Sequence, residues 1–421
     1  MKKIFSFIKN HPIYCLLILC LLFLPTAIVA QPESANKIII RAMGIDKTEE
    51  GYEVTAIAFT PQSSQTFGEN YKVIEGKGDS LYTALISLGN HAGKEVALAH
   101  TDVIVVDEKA SAEGLIEAID YLNREYSLGN DAHVMYCPSS TSELIRLVNE
   151  LGIGSEIRLG KISTFDEEKI INGNSNIESI YNSAYSPSKC TLVNVVELSE
   201  EEGLDPNVSG ASGGSGGSSD SGGPGGASGG SSGGGEQQKK KVLNEGKAMV
   251  FKEGKRALLL SKEEVQKYRF MRSSRYAQTF TVKNFSDANF TDANITFTSQ
   301  RNDVSFDLSF DGEMPVCKIV IKPVLQISEV NQKILDSDIY LSPYKFATKE
   351  LETEIEKQIS SDAKFIVEKF NSENLDLFQI YEKFNAKLTK QFQNYLQSLK
   401  NEDEYLKGIH FEYVCDSQIT N

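Results

Sequence analysis

Residues 209–235 are almost entirely glycine and serine, and residues 203–235 hold 15 of the chain's 32 glycines. Such a stretch has almost no apolar side chain to bury. It is expected to be a flexible coil, so the 421-residue chain must build its cores on either side of it. It is not a phosphate-binding loop, because no strand feeds it and no Gly-Lys-Ser or Gly-Lys-Thr closes it. The charge divides at the same place. Residues 31–204 carry 13 basic and 28 acidic side chains, whereas residues 236–421 carry 27 and 28, within an overall formal charge of −15. Two folded units are expected, each with enough apolar residues for its own core at 40% hydrophobic composition. An acidic balance this strong argues against a nucleic-acid partner, since tracking phosphates needs a basic stripe.

The N-terminus sets the compartment. Lys2, Lys3 and Lys9 precede an uncharged apolar run over residues 13–30. As a helix the run spans about 27 Å, close to the roughly 30 Å hydrocarbon core of a bilayer. The basic residues lie before it and the next one is Lys37, which puts the N-terminus in the cytoplasm and everything after Gln31 outside. The length and flanking charge favour an uncleaved signal anchor over 1–30. A signal peptide cut after Ile28-Val29-Ala30 is a second reading. Acylation of Cys20 is a third, and it fits least well because Leu19 is large where a lipoprotein signal has a small residue. All three give an exported chain.

The apolar periodicities then outline the units. KIIIRAMGI and YEVTAIAFTP flank the turn DKTEEG as a hairpin, and YKVIEG is a further strand. Asp79 or Ser80 can cap a helix with Leu81, Ala84, Leu85 and Leu88 on one face. A strand over 101–107, a helix over 112–126, the strand DAHVMYCP and a helix over 140–151 follow. Residues 165–181 read as helix and 189–198 as a last strand. Hairpin followed by alternating helix and strand is an α/β or α+β pattern. Beyond the tract, EGKAMVF and RALLL read as a hairpin opening the second unit, and Ser261 with Glu264 has capping-box spacing. Four strand-like runs follow: YAQTFTV, NITFTS, DVSFDLSF and VCKIVIKPVLQIS. Helices over 344–370 and 376–399 and the strand GIHFEYVC close the chain. The expected fold is mixed α/β and α+β: a multi-domain ectodomain of mixed sheets with packed helices, behind one N-terminal membrane segment. Its parts are residues 1–30 as signal anchor or signal peptide, 36–200 as an N-terminal α/β domain, 205–241 as linker and 242–421 as a C-terminal α+β domain.

No catalytic, cofactor or metal constellation stands out, so an enzyme is not expected. His91, His100, His133 and His410 show no helical pairing, and His100 beside Asp102 need not converge with it. Cys137, Cys190, Cys317 and Cys415 lack C-x-x-C spacing; disulfides and buried thiols both remain open. Asp336-Ser337-Asp338 lacks the glycine and distal glutamate of a calcium loop, and Asp166-Glu167-Glu168 suits a helix start. Asn289 and Asn294 fit a glycosylation acceptor pattern that matters only in a eukaryotic secretory route. Phe378, Tyr381 and Phe384 read as core.

The order of these pieces carries more than any motif. MGIDKTEEGYEVT, GDSLYTAL, AHTDVIVVDEKASAEGLIEAIDYLNRE and DAHVMYCPS resemble, in sequence order, the N-terminal part of the Ger(x)C family of spore germination proteins. EGKAMVFKEGKRALLLSKEE resembles the start of that family's C-terminal domain, and the helix LDLFQIYEKF followed by a terminal strand fits its end. The resemblance implies a non-enzymatic C subunit of a GerA-type nutrient germinant receptor. It also implies an A subunit and a permease-like B subunit as partners, and a place at the outer face of the spore inner membrane. The family is as a rule lipid-anchored, and the sequence before Cys20 departs from that pattern. A generic exported scaffold or adhesion protein shares the anchor, the acidic unit and the linker.

Overall fold

The computed structural model describes residues 36–59, 71–126, 128–129, 131–150, 175–201, 240–272, 277–332 and 343–420. The expected anchor over 1–30 with Cys20, the glycine–serine tract, Asp166-Glu167-Glu168 and Asp336-Ser337-Asp338 lie outside these residues. Among the described residues, no helix is long and apolar enough to cross a membrane.

The first sheet starts with the expected hairpin, β1 (Lys37–Thr48) and β2 (Gly51–Phe59), to which β3 (Tyr71–Gly78) adds antiparallel. Strands β4 (Glu95–Ala97) and β5 (Val103–Asp107) join β1 in parallel, and β6 (His133–Cys137) and β7 (Cys190–Glu201) continue the parallel centre. Every residue of β5, VIVVD, is buried, as a strand covered on both faces requires. One face of the sheet carries α1 (Leu81–Ala92), α2 (Glu108–Glu113), α3 (Leu115–Tyr126) and α5 (Ile177–Ala184) over a core that includes Ile45, Val106 and Leu122. The other carries α4 (Thr141–Glu150) through Leu144, Ile145 and Val148. Ser80 caps α1 in a reciprocal box with Thr83. The single helix expected over 112–126 is broken at Gly114, whose φ of 136° is outside the helical range, and Asp107 caps the short α2 before it. Of the helix expected over 165–181, the described part is α5, which Asn176 caps.

The hairpin expected to open the second unit instead completes the first sheet. β8 (Lys240–Lys252) pairs antiparallel with β7 from Cys190↔Lys252 to Glu201↔Lys240, and β9 (Lys255–Leu260) adds outside it. The sheet order is β3-β2-β1-β5-β6-β7-β8-β9, with β4 beside β1. Residues 202–239 thus connect two neighbouring strands. The alternation of β7 and β8 explains the arrangement. Val193, Val195, Met249 and Phe251 enter the first core, whereas Cys190, Leu192, Ala248 and Val250 enter the core of the C-terminal half. The strands form a wall shared by both, so the expected boundary at 242 falls inside a sheet.

The second sheet is antiparallel over β10 (Thr279–Phe285), β11 (Ala293–Asp311) and β12 (Met314–Asn331), and β13 (His410–Cys415) and β14 (Gln418–Thr420) join β12 in parallel. NITFTS and DVSFDLSF, expected as two strands, form one, β11. The polar residues between them are absorbed by the register shift between Ser299 and Arg301, with buried Asn302 donating to the Phe270 carbonyl. α6 (Lys262–Phe270) and α7 (Lys349–Ser372) pack on this sheet, capped by Ser261 and Thr348. The helix expected over 376–399 is two, α8 (Ile380–Lys387) and α9 (Thr389–Ser398), separated by Leu388 in a non-helical conformation.

Candidate functional site

The sequence-level candidates do not gather. His91 donates its Nδ1–H to the Glu75 carbonyl of β3, 2.7 Å away. His100 is exposed, and Asp102 beside it is paired with Arg41 at 2.5 Å. His133 opens β6, where burial lowers its imidazole below the ordinary range. His410 lies on the exposed face of β13, 4.0 Å from Glu412. The four described cysteines are free. Burial pushes the thiols of Cys190, Cys317 and Cys415 up to about 12 and raises Cys137, the opposite of what activates a nucleophilic thiolate. Among the described residues, no three His, Cys, Asp or Glu side chains are grouped to hold a metal. Asn289 is tied to the Phe346 carbonyl and Asn294 to the Asn284 amide.

Two other constellations stand out. The first fixes the opening hairpin. Asp46, near the end of β1, is buried and accepts from the Thr141 amide at 2.7 Å, the Thr141 hydroxyl at 2.9 Å and the Ser142 amide at 3.0 Å. A carboxylate from one strand therefore caps a helix 95 residues later. Gly44 allows the approach, because a Cβ there would stand 2.2 Å from Thr141 Oγ1. The tripeptide Gly44-Ile45-Asp46 is thus a docking element for α4, with Ile45 in the core of the opposite face.

The second lies where the shared wall meets the C-terminal helices. The loop between α7 and α8 is held from every side through its carbonyls. Lys252 of β8 reaches Asn374 O at 2.9 Å, Arg272 reaches Leu377 O at 2.9 Å, Tyr268 of α6 reaches the same oxygen at 3.3 Å, and Lys383 reaches Phe378 O. Asn374 and Gln379 sit at φ of 55° and 56°, left-handed conformations that this lattice of bonds sustains. At its centre, buried Asp376 accepts from the Ile380 and Tyr381 amides at 2.7 and 2.8 Å and from the Tyr405 hydroxyl at 2.6 Å. Burial raises the Asp376 carboxyl, raises the Tyr405 phenol and lowers the Lys383 ammonium. Glu382 of α8 accepts from the Ser188 amide, just before β7, at 3.1 Å. The predicted core aromatics Phe378, Tyr381 and Phe384 all lie here, in tilted, edge and stacked contacts with Phe370, Phe392 and Tyr405. No activated nucleophile belongs to this cluster. Its chemistry is that of a lock, holding the shared wall and the C-terminal helices at one angle. Sequence reasoning missed Asp376 as its centre; the one available signal was an aspartate just ahead of a helix start.

The comparisons with known proteins follow this architecture. Residues 31–198 match the family described as spore germination protein N-terminal domain, and residues 246–421 match the one described as spore germination B3/GerAC-like, C-terminal. Among solved structures, the crystal structure of the GerBC protein is similar with a TM-score of 0.51 at 16% sequence identity, covering 90% of this chain and 97% of that one. At that identity the likeness concerns the fold. No curated protein matches the chain in sequence. The two family matches part between β7 and β8, two strands that are hydrogen-bonded neighbours. Matched in order along both halves and in fold, the chain belongs to the Ger(x)C family of spore germination proteins.

Proposed function

We propose that the chain is a non-enzymatic, membrane-attached subunit of a spore nutrient-germinant receptor, and that it acts by binding an A subunit and a permease-like B subunit. The observation that carries this reading is the pair of family matches, in order, over nearly the whole exported part. The described polar clusters fit it, since Asp46 and Asp376 are spent on holding elements together. The basic-then-apolar N-terminus supports attachment at the extracytoplasmic face, by an uncleaved anchor or by acylation of Cys20. One anchor helix cannot line a polar path across a bilayer by itself, so the exported part must act through contacts. A stable complex should bury roughly 800 Å² per partner.

Deleting the gene in its spore-forming host should slow germination with at least one nutrient and leave sporulation yield intact. Normal germination with every nutrient, in a strain without redundant receptors, rules the reading out.

A further inference from the structure

We infer that the open edge of β11 is a docking site for an extended segment of a protein partner, one that carries lysine or arginine at every fourth position, a small polar residue midway between them, and apolar residues at the positions between. The inference rests on strand geometry and charge and stands apart from the receptor reading.

Strand β10 covers only the first part of β11, from Phe285↔Ala293 to Thr279↔Thr298, with one more bond from the Ser299 amide to the Gln278 carbonyl. From Arg301 to Asp311 the ladder to β12 is unbroken, and among the described residues no strand pairs with the other side. The two-residue turn Gly312-Glu313, with Gly312 at φ 61°, closes this ladder at Asp311↔Met314. Antiparallel bonding alternates from the closing pair. Asp311, Ser309, Asp307, Ser305 and Asp303 therefore turn their backbone groups to β12. Phe310, Leu308, Phe306 and Val304 turn their N–H and C=O outward, to the open edge.

Natural sheets blunt such edges with proline, a bulge or charged side chains. The run from Asp303 to Asp311 has no proline, lysine or bulge, and its charges are all acidic, so they repel a second acidic edge but not a basic strand. Its side chains alternate: the aspartates and serines are exposed, while Val304, Phe306, Leu308 and Phe310 are half-buried against the C-terminal core. An added strand would extend both faces, with apolar residues beside the phenylalanines and polar ones beside the aspartates.

The charge selects the polar ones. Asp303 lies opposite Lys322 on β12 and is already paired with Arg301 at 2.8 Å, whereas Asp307 faces Lys318 alone and Asp311 faces Met314, so Asp307 and Asp311 are the carboxylates that basic residues on the incoming strand would meet. A second copy of this chain fits less well. Antiparallel self-pairing centred on Asp307 sets Asp303 against Asp311 and Asp307 against its counterpart.

The test uses the full-length chain and a nine-residue probe peptide alternating lysine and threonine with valine between. Before addition, amide hydrogen exchange should be fast at Val304, Phe306, Leu308 and Phe310 and slow at Ser305, Asp307 and Ser309. The probe should bind saturably and slow exchange at those four amides. N-methylation of its alternate amides, or glutamate in place of lysine, should abolish binding. Asp307→Lys should weaken it about tenfold and Asp307→Asn by less, since an ion pair and then its reversal are involved. Four amides already protected in the free chain, equal binding of the N-methylated probe, no binding at millimolar concentration, or concentration-dependent self-association that protects the same amides would each overturn the inference.

Discussion

Removing the Asp376 carboxylate strands three buried donors at once: the amides of Ile380 and Tyr381 and the hydroxyl of Tyr405. Asp376→Ala should therefore cost about 3 to 5 kcal/mol, against about 1 kcal/mol for Tyr405→Phe, which leaves the carboxylate two backbone donors. Denaturant unfolding of the two variants separates them; equal and small losses would show that the loop is held by its other bonds. His133 gives a pH signature. Burial holds its imidazole below the ordinary value of 6.5. Between the folded and unfolded values the unfolded chain binds the extra proton, so stability rises with pH through that window and is lost as pH falls below about 6.5. His133→Gln should flatten the unfolding midpoint between pH 5 and 7, and an unchanged slope would assign the dependence to other groups.

At the scale of elements, local patterning was legible where one face of an element alone decides its burial. The Leu81, Leu85 and Leu88 stripe and the Ser261 capping box stand where periodicity and capping chemistry put them. What the pattern does not contain is pairing. The apolar alternation of EGKAMVF fits an edge of either sheet, and only contact with β7 assigns it to the first. Likewise, the polar residues at 300–302 separate two strand-like runs until β12 is beside them, and Asp376 looks like an ordinary helix-starting aspartate until Tyr405 closes over it. Residues 202–239 connect β7 to β8, whose ends pair at Glu201↔Lys240. Replacing them with a four-residue turn should stabilise the chain by about 1 to 2 kcal/mol through loop-closure entropy. A loss of stability would show that the tract contributes contacts to the fold.

Across the whole molecule, the two halves that composition separates are joined by a wall of strands that serves both cores. The charge contrast between halves is real, yet it concerns the surface, and the cores ignore it. Thermal unfolding of residues 31–421 should show one cooperative transition, whereas residues 242–421 alone should lack a sharp one, because β8 and β9 have lost β7. Two resolved transitions in the intact chain would restore independent halves. The structure also bears on how such a subunit acts. Lys252 and Glu382 tie the loop and helix around Asp376 to the shared wall, so the two halves are expected to meet a partner as one unit. The most direct measurement is cross-linking of spore membranes followed by affinity capture of this chain and identification of what comes with it. Recovery of an A-type polytopic subunit and a permease-like subunit, lost when either partner gene is deleted, is the predicted result. Capture of neither from membranes that contain both would contradict the account.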